Sequence, residues 1–327
     1  MSATNPFNNR RILITGGAGF IGANLVRRFL SLGVQVHVLK RPHSSLWRLQ
    51  EVIDSIRLYD ADICDEHSLK QAFEIINPDI VYHLATPRGG DAAAWSRMIQ
   101  CNITAALNLI EQLSQKPATR LIVAGSSMEY GPNEQPHREQ DVLNPNTWHG
   151  VSKAAANLIY RQAAESMGLN IIQLRLFHVY GPWESSHRLL PSAIHAAFNH
   201  TPLPLTQATI RRDWVYIDDV IEALLGSTFI STQGASFNIG SATEQSNEDV
   251  VNVVEELTGS AITRIAGGFL PGACDSAHRY PDISKAYTTF GWQPKVDFRA
   301  GVSAMLKWSR DNPNYWRQQN GSRPLHV

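Results

Sequence analysis

The chain has 327 residues, 43% of them apolar and 18% charged, with Lys plus Arg and Asp plus Glu both at 29. That balance excludes a disordered chain, a coiled coil and a membrane-spanning protein, and it offers no basic face for nucleic acid. Cys64, Cys101 and Cys274 are few, odd in number and without metal-ligand spacing, so they read as reduced, mostly buried side chains of a cytoplasmic protein with no metal site. The polar first eleven residues contain no apolar core of a secretory signal.

In chain order, the β-branched run 11–15 reads as a strand. It leads through the glycine-rich stretch 16–22 into a helix over 23–32, closed by Gly33. Strands follow at 34–39, 56–59, 80–84, 121–124 and 171–177, with helices at 67–76, 95–113 and 152–167. Strands alternating with helices of this length imply right-handed βαβ units on a parallel sheet. After Phe177 prolines cluster, and the elements become shorter: helices near 190–199, 220–227 and 247–257, and a strand near 214–217. The first half reads as a nucleotide-binding domain and the rest as a smaller lobe laced back into it.

Gly17-x-Gly19-x-x-Gly22 between a strand and a helix is the context in which a glycine loop binds a pyrophosphate. The glycines allow close backbone approach, and the helix start offers free N–H groups and a positive dipole end. Gly16, Gly19, Phe20, Ile21 and Gly22 are the expected contacts. The acidic residue that commonly ends the second strand to hold a ribose 2′-OH is absent; Lys40 and Arg41 stand there. Two cations suit a 2′-phosphate, so NADP(H) is the expected cofactor and NAD(H) the second choice, the plain alternative being a solvated basic loop.

Several further motifs follow in order: Asp62-Ile63, His83-Leu84-Ala85, Asn102, Ser126-Ser127-Met128-Glu129-Tyr130-Gly131, Gly150-Val151-Ser152-Lys153, Val179-Tyr180-Gly181-Pro182, the run 212–220 and the run 282–286. With the glycine loop, their order and spacing make the chain resemble the extended short-chain dehydrogenase/reductases, the NAD-dependent epimerase/dehydratase family, in its nucleotide-sugar-modifying branch. The resemblance covers about residues 11–308. It implies a Rossmann-type doubly wound parallel sheet with a smaller C-terminal α/β substrate lobe. The expected division is 1–177 plus about 206–238 for the cofactor domain, and about 178–205 plus 239–327 for the lobe. It also implies a homodimer packed through the helices at 95–113 and 152–167.

The resemblance makes Ser126 the hydroxyl that meets the reacting oxygen and Lys153 the cation that binds the nicotinamide ribose. The family's tyrosine falls four residues before that lysine, and here the position holds His149. Positions 149 and 153 share one helix face. An imidazole is a general acid only as imidazolium, and both the Lys153 cation and partial burial push its pKa down. Three readings follow. His149 donates the proton and works best at mildly acid pH, or Ser126 or water relays the proton past a bystander His149, or the ordinary chemistry is lost.

Asp62, Ile63, Leu84, Ala85, Thr86 and Asn102 are expected on the cofactor side. Arg88, Ser127, His178, Arg212 and Arg279 are expected near the substrate. His178 replaces the family's asparagine; its plain alternative is a packing histidine. Arg212 matches an arginine that grips a nucleotide diphosphate, a geometry that suits a guanidinium. The plain alternative is a surface arginine paired with Asp213. A second such arginine is replaced by Leu270, with Arg279 as a stand-in. Where 4,6-dehydratases carry Asp then Glu, this chain carries Ser127 and Met128. The expected activity is therefore NADPH-dependent reduction of a 4-keto sugar on a nucleotide diphosphate. The alternatives are an epimerase with tightly bound NAD(P), a reductase of a non-sugar ketone or aldehyde, and a non-catalytic NADP-binding sensor.

Overall fold

The computed structural model describes residues 5–87, 92–267 and 278–319. The chain divides into two compact units, the first made of Met1–Gly125, Val151–Arg175 and Ile221–Ser236, the second of Ser126–Gly150, Leu176–Val220 and Phe237–Val327.

The first unit is a parallel α/β layer structure. Its strands are β1 (Ile12–Thr15), β2 (Val36–Lys40), β3 (Arg57–Asp60), β4 (Ile80–His83), β5 (Arg120–Ser126) and β6 (Ile171–Leu176). The helices are α1 (Phe20–Ser31), α2 (Glu66–Ile76), α3 (Ala92–Gln115) and α4 (Trp148–Met167). β1 pairs in parallel with both β2 and β4, and the sheet runs β3-β2-β1-β4-β5-β6 before ending on a strand at Ser236–Ile239. This is the doubly wound order, with its switch point beside the C-terminal end of β1. β1, β4 and β6 are buried at every position, so β1 and β4 read as near-continuous apolar runs rather than alternating ones, while β6 also buries Gln173 and Arg175. α3 contributes Ala105, Ala106, Leu109 and Leu113 to one core cluster, and α4 contributes Ala156, Tyr160, Ala163 and Ala164 to the same cluster.

Three of these helix starts differ from expectation by three or four residues, α3 beginning at Ala92 rather than 95. α1 begins at Phe20, three residues early, with Gly19 as its extended N-cap, so Phe20, Ile21 and Gly22 are already helical. α4 begins at Trp148 rather than 152, because the Thr147 hydroxyl accepts the Gly150 N–H at 3.0 Å and caps the first turn.

The second unit carries β7 (His178–Tyr180), α5 (Leu189–Asn199), β8 (Leu203–Leu205) and β9 (Arg211–Tyr216), and α6 (Ile217–Gly226) starts in it and continues from Ile221 as part of the first. Then follow β10 (Ser236–Ile239, the sheet edge above), β11 (Glu244–Ser246), α7 (Asn247–Thr258), β12 (Arg264–Ala266), α8 (Ser284–Phe290), α9 (Phe298–Asp311) and α10 (Asn314–Gln319). β9 sits between β11 and β7 in a three-stranded sheet. The strand expected at 214–217 starts three residues earlier, and Ile217 already opens a helix. Tyr180, Trp214 and Phe298 pack as an aromatic group, with the Tyr180 hydroxyl donating to the Phe298 carbonyl at 3.3 Å. α7 starts on a capping box between Ser246 and Asp249 and stops at Gly259 in the left-handed region.

Candidate active site

In the first unit the glycine loop has the form a pyrophosphate needs. Gly16 lies at φ +73°, and a Cβ there would stand 2.6 Å from the Ala85 backbone nitrogen. A Cβ on Gly22 would strike the Gly16 carbonyl oxygen. These two glycines let the β1–α1 turn close and leave the first N–H groups of α1 unobstructed, so the loop fits a dinucleotide's phosphates. Leu84, Ala85 and Thr86, half-buried after β4, flank it, with the Leu84 N–H donating to the Thr15 carbonyl. The Thr86 hydroxyl donates to Asn102 Oδ1 at 3.1 Å, and Asn102 Nδ2 donates to the Ser152 hydroxyl at 2.9 Å. Asn102 thus links the strand end to α4.

The second-strand terminus departs from the expected pair of free cations. Lys40 Nζ, on a side chain only 13% exposed, is ion-paired with Asp60 on the neighbouring strand β3. Arg41 is exposed. The two-cation cradle for a 2′-phosphate is therefore reduced to Arg41. The physical reason is that parallel pairing places Lys40 directly beside Asp60. Asp62 folds back on its own turn, its Oδ1 accepting the Cys64 N–H at 2.9 Å, and Ile63 is buried.

Lys153 is buried on α4 and donates to the Ala124 carbonyl at the end of β5, 2.8 Å away. His83 lies buried on β4, its Nδ1 2.8 Å from the Thr15 hydroxyl. Burial first, and the Lys153 cation second, hold the His83 imidazole down near a pKa of about 3. His83 is therefore neutral at pH 7 and does not compete with Lys153 for anionic partners.

In the second unit Ser126 is fixed by a buried acid. Glu129 is completely buried, and its Oε1 accepts the Ser126 N–H at 2.8 Å, while Ser126 Oγ accepts the Met128 N–H at 3.2 Å. This reciprocal box closes a single 3-10 turn over Ser127–Glu129. The Thr147 hydroxyl that caps α4 also reaches the Met128 sulfur at 3.9 Å. Both the turn that holds Ser126 and the first turn of α4, which holds half-buried His149, are thus tied to one threonine. Sequence reasoning weighs Glu129 only as a stand-in acid/base for position 128 and gives Thr147 no role, although Ser126-x-x-Glu129 is itself a capping-box spacing.

Among the substrate-side positions, Ser127 is buried, and His178 packs its ring 4.2 Å from that of Trp214, its register partner across β7 and β9. Arg212, half-buried on β9, donates through Nη1 to Asn247 Oδ1 at 2.9 Å. Its neighbour Asp213 is buried, accepts from the Ser241 N–H and hydroxyl at 2.8 and 2.9 Å, and has its carboxyl pushed up to about 7 by burial. The Arg279 carbonyl accepts the Asp213 N–H at 3.0 Å, which runs Arg279 alongside β9 next to Arg212. Arg88 and Leu270 lie outside the described residues. Among the described residues no group of three or more His, Cys, Asp or Glu could hold a metal, and no helix is long and apolar enough to cross a membrane.

Residues 12–240 match the family model described as "NAD dependent epimerase/dehydratase family". A probable dTDP-glucose 4,6-dehydratase of Sinorhizobium fredii is 30% identical, with 94% of this chain and 95% of that protein aligned. A UDP-glucuronate 4-epimerase of Thermodesulfobacterium geofontis is 27% identical over 92% of this chain and 96% of its own length. A crystal structure of a Thermus thermophilus UDP-glucose 4-epimerase complex with NAD superimposes with a TM-score of 0.81 at 26% identity, covering 92% of this chain and 99% of that one.

Proposed function

This chain belongs to the NAD dependent epimerase/dehydratase family, and from that premise we propose that it is an oxidoreductase that reduces the 4-keto group of a nucleotide-linked sugar. The observation that carries the reading is what fills positions 127 and 128. Ser127 is buried and the Met128 sulfur takes the Thr147 hydroxyl, so neither position supplies a carboxylate to remove water from the sugar. Ser126, with its backbone anchored by Glu129, remains to orient a carbonyl oxygen.

A bound nicotinamide dinucleotide would supply the hydride. Gly16, Gly19, Phe20, Ile21 and Gly22 would hold its phosphates, Lys153 its nicotinamide ribose, and Arg41 the 2′-phosphate of NADP(H). Arg212 and Arg279 would meet the substrate's diphosphate, and His149 would deliver the proton to the forming hydroxyl. The exposed apolar side chains Trp95 and Leu107 on α3, with Val151 and Leu158 on α4, support a homodimer through these helices. Free Cys64 and Cys101 suit a cytoplasmic enzyme.

The test is NADPH and NADH oxidation with a panel of nucleotide 4-keto sugars across mildly acid to mildly alkaline pH, with His149→Phe and His149→Tyr alongside. Oxidation that rises toward acid pH and disappears in His149→Phe is the expected result. An unchanged rate in His149→Phe would move the proton to Ser126 or water. A second reading, epimerisation at C4 with retained NAD, is favoured by the Lys40–Asp60 ion pair, which leaves one cation for a 2′-phosphate. NAD that stays bound through purification, with no net oxidation of added NADPH, would select it.

A further inference from the structure

Cys64 and Cys101 are 37 residues apart in sequence, yet their sulfurs are 2.9 Å apart. Cys64 sits in the tight turn after β3, closed by the Asp65 N–H on the Asp62 carbonyl. Cys101 sits on α3, which also grips this turn through Asn108 Nδ2 on the Ile63 carbonyl at 3.0 Å. Both thiols are free and half-buried, packed at the margin of the core rather than inside it. A disulfide bond is about 2.05 Å long, so closure needs a contraction of under about 1 Å between two elements already in contact.

The pair is electrostatically asymmetric. Cys64 donates its S–H to the Cys101 sulfur, and that hydrogen bond, with the Arg41 and Lys153 cations adding to it, lowers the Cys101 pKa, while the Cys64 thiol is raised. Cys101 is therefore the more thiolate-like sulfur and Cys64 the resolving one.

We propose that Cys64 and Cys101 form a reversible dithiol–disulfide pair, closed by hydrogen peroxide, and that closure weakens dinucleotide binding by this unit. The Cys101 thiolate attacks one peroxide oxygen, breaking the O–O bond and releasing hydroxide, which leaves a sulfenic acid. The Cys64 sulfur then attacks that sulfur, and the sulfenic oxygen departs as water. In sum, two thiols and one peroxide give one disulfide and two waters. Dithiothreitol reverses the reaction by exchange.

The effect on the cofactor rests on the reading above that Asp62, Ile63 and Asn102 flank it. Cys64 lies two residues from Asp62, and Cys101 precedes Asn102, whose amide bonds Thr86 and Ser152. Drawing the turn toward α3 displaces both sides of that contact set. Linkage then requires the converse: bound dinucleotide must resist oxidation of the pair by the same factor by which oxidation weakens binding.

The experiment treats the full chain with hydrogen peroxide and blocks residual thiols. It then maps non-reduced peptides by mass spectrometry and measures NAD and NADP affinity by calorimetry before and after dithiothreitol. The expected result is a Cys64–Cys101 linked peptide, lighter by two hydrogens, with dinucleotide affinity down at least about five-fold and restored on reduction. Cys64→Ser and Cys101→Ser should bind dinucleotide with no peroxide response. Absence of the linked peptide, or linkage only through Cys274, overturns the proposal. A linked peptide with unchanged affinity overturns its regulatory half. Should the reduced protein bind neither dinucleotide, the cofactor reading and that regulatory half fall together, while the peptide map still decides the disulfide.

Discussion

Acid should destabilise the first unit through His83. An ordinary imidazole titrates near 6.5, whereas burial and Lys153 hold that of His83 near about 3. Between those values the unfolded chain binds a proton that the folded chain refuses. The stability tied to the neutral ring is fully present above the unfolded value and is lost as pH falls, at about 1.4 kcal/mol per pH unit. By pH 5 the loss is about 2 kcal/mol, and near pH 3 it approaches about 5 kcal/mol. Urea unfolding of the wild type and His83→Gln, followed by far-ultraviolet circular dichroism at pH 7 and pH 5, isolates this share. Other histidines, including His137, whose buried ring is lowered to about 4, contribute to both proteins and cancel in the comparison. His83→Gln will be less stable at pH 7, since it loses the bond to Thr15. Its further loss between pH 7 and pH 5 should be smaller than the wild type's by about 2 kcal/mol. An equal loss in both proteins would refute the claim that His83 is held neutral.

Gly16→Ala should abolish measurable dinucleotide binding by calorimetry, because its φ of +73° costs a side chain roughly 1–2 kcal/mol and the added Cβ displaces Ala85. Tyr130→Phe removes a buried 2.7 Å hydrogen bond to Asn238 Oδ1 and leaves that oxygen short of a donor, so thermal or urea denaturation should show a loss of about 1–2 kcal/mol. Leu107→Glu or Leu158→Glu places a charge on the exposed apolar faces of α3 and α4. Each should convert the proposed homodimer to a monomer in sedimentation, with the circular dichroism unchanged.

The sequence and the structure agree best where local pattern decides geometry. Continuous apolar runs gave β1 and β4, and the glycine loop gave the start of α1 to within three residues. Strands of three residues, such as β7, β8, β11 and β12, are too short for a two-residue period to register. The apolar period of α4 begins after Gly150 and so points to a late start, whereas the helix is nucleated by a threonine cap. Lys40 illustrates a different limit. Its charge is visible in the sequence, but its partner Asp60 is set by strand register, which only the fold supplies. The same holds for the Cys64–Cys101 contact, which depends on a turn and a helix meeting. Ser126, His149 and Lys153 were legible as positions; Glu129, which fixes Ser126, required the buried turn to be seen.

The first unit is assembled from three separate stretches of chain, the last of them ending at Ser236. During synthesis, the strands up to β5 emerge well before β6 and the edge strand that extend their sheet. At about 5–20 residues per second, the 50 residues between the end of β5 and the end of β6 leave an incomplete, apolar sheet edge exposed for roughly 2.5–10 s. Truncated products ending before Ser236 should accordingly be insoluble, and neither unit can be excised as one contiguous fragment. The demand on chaperones should therefore fall within a defined interval of translation.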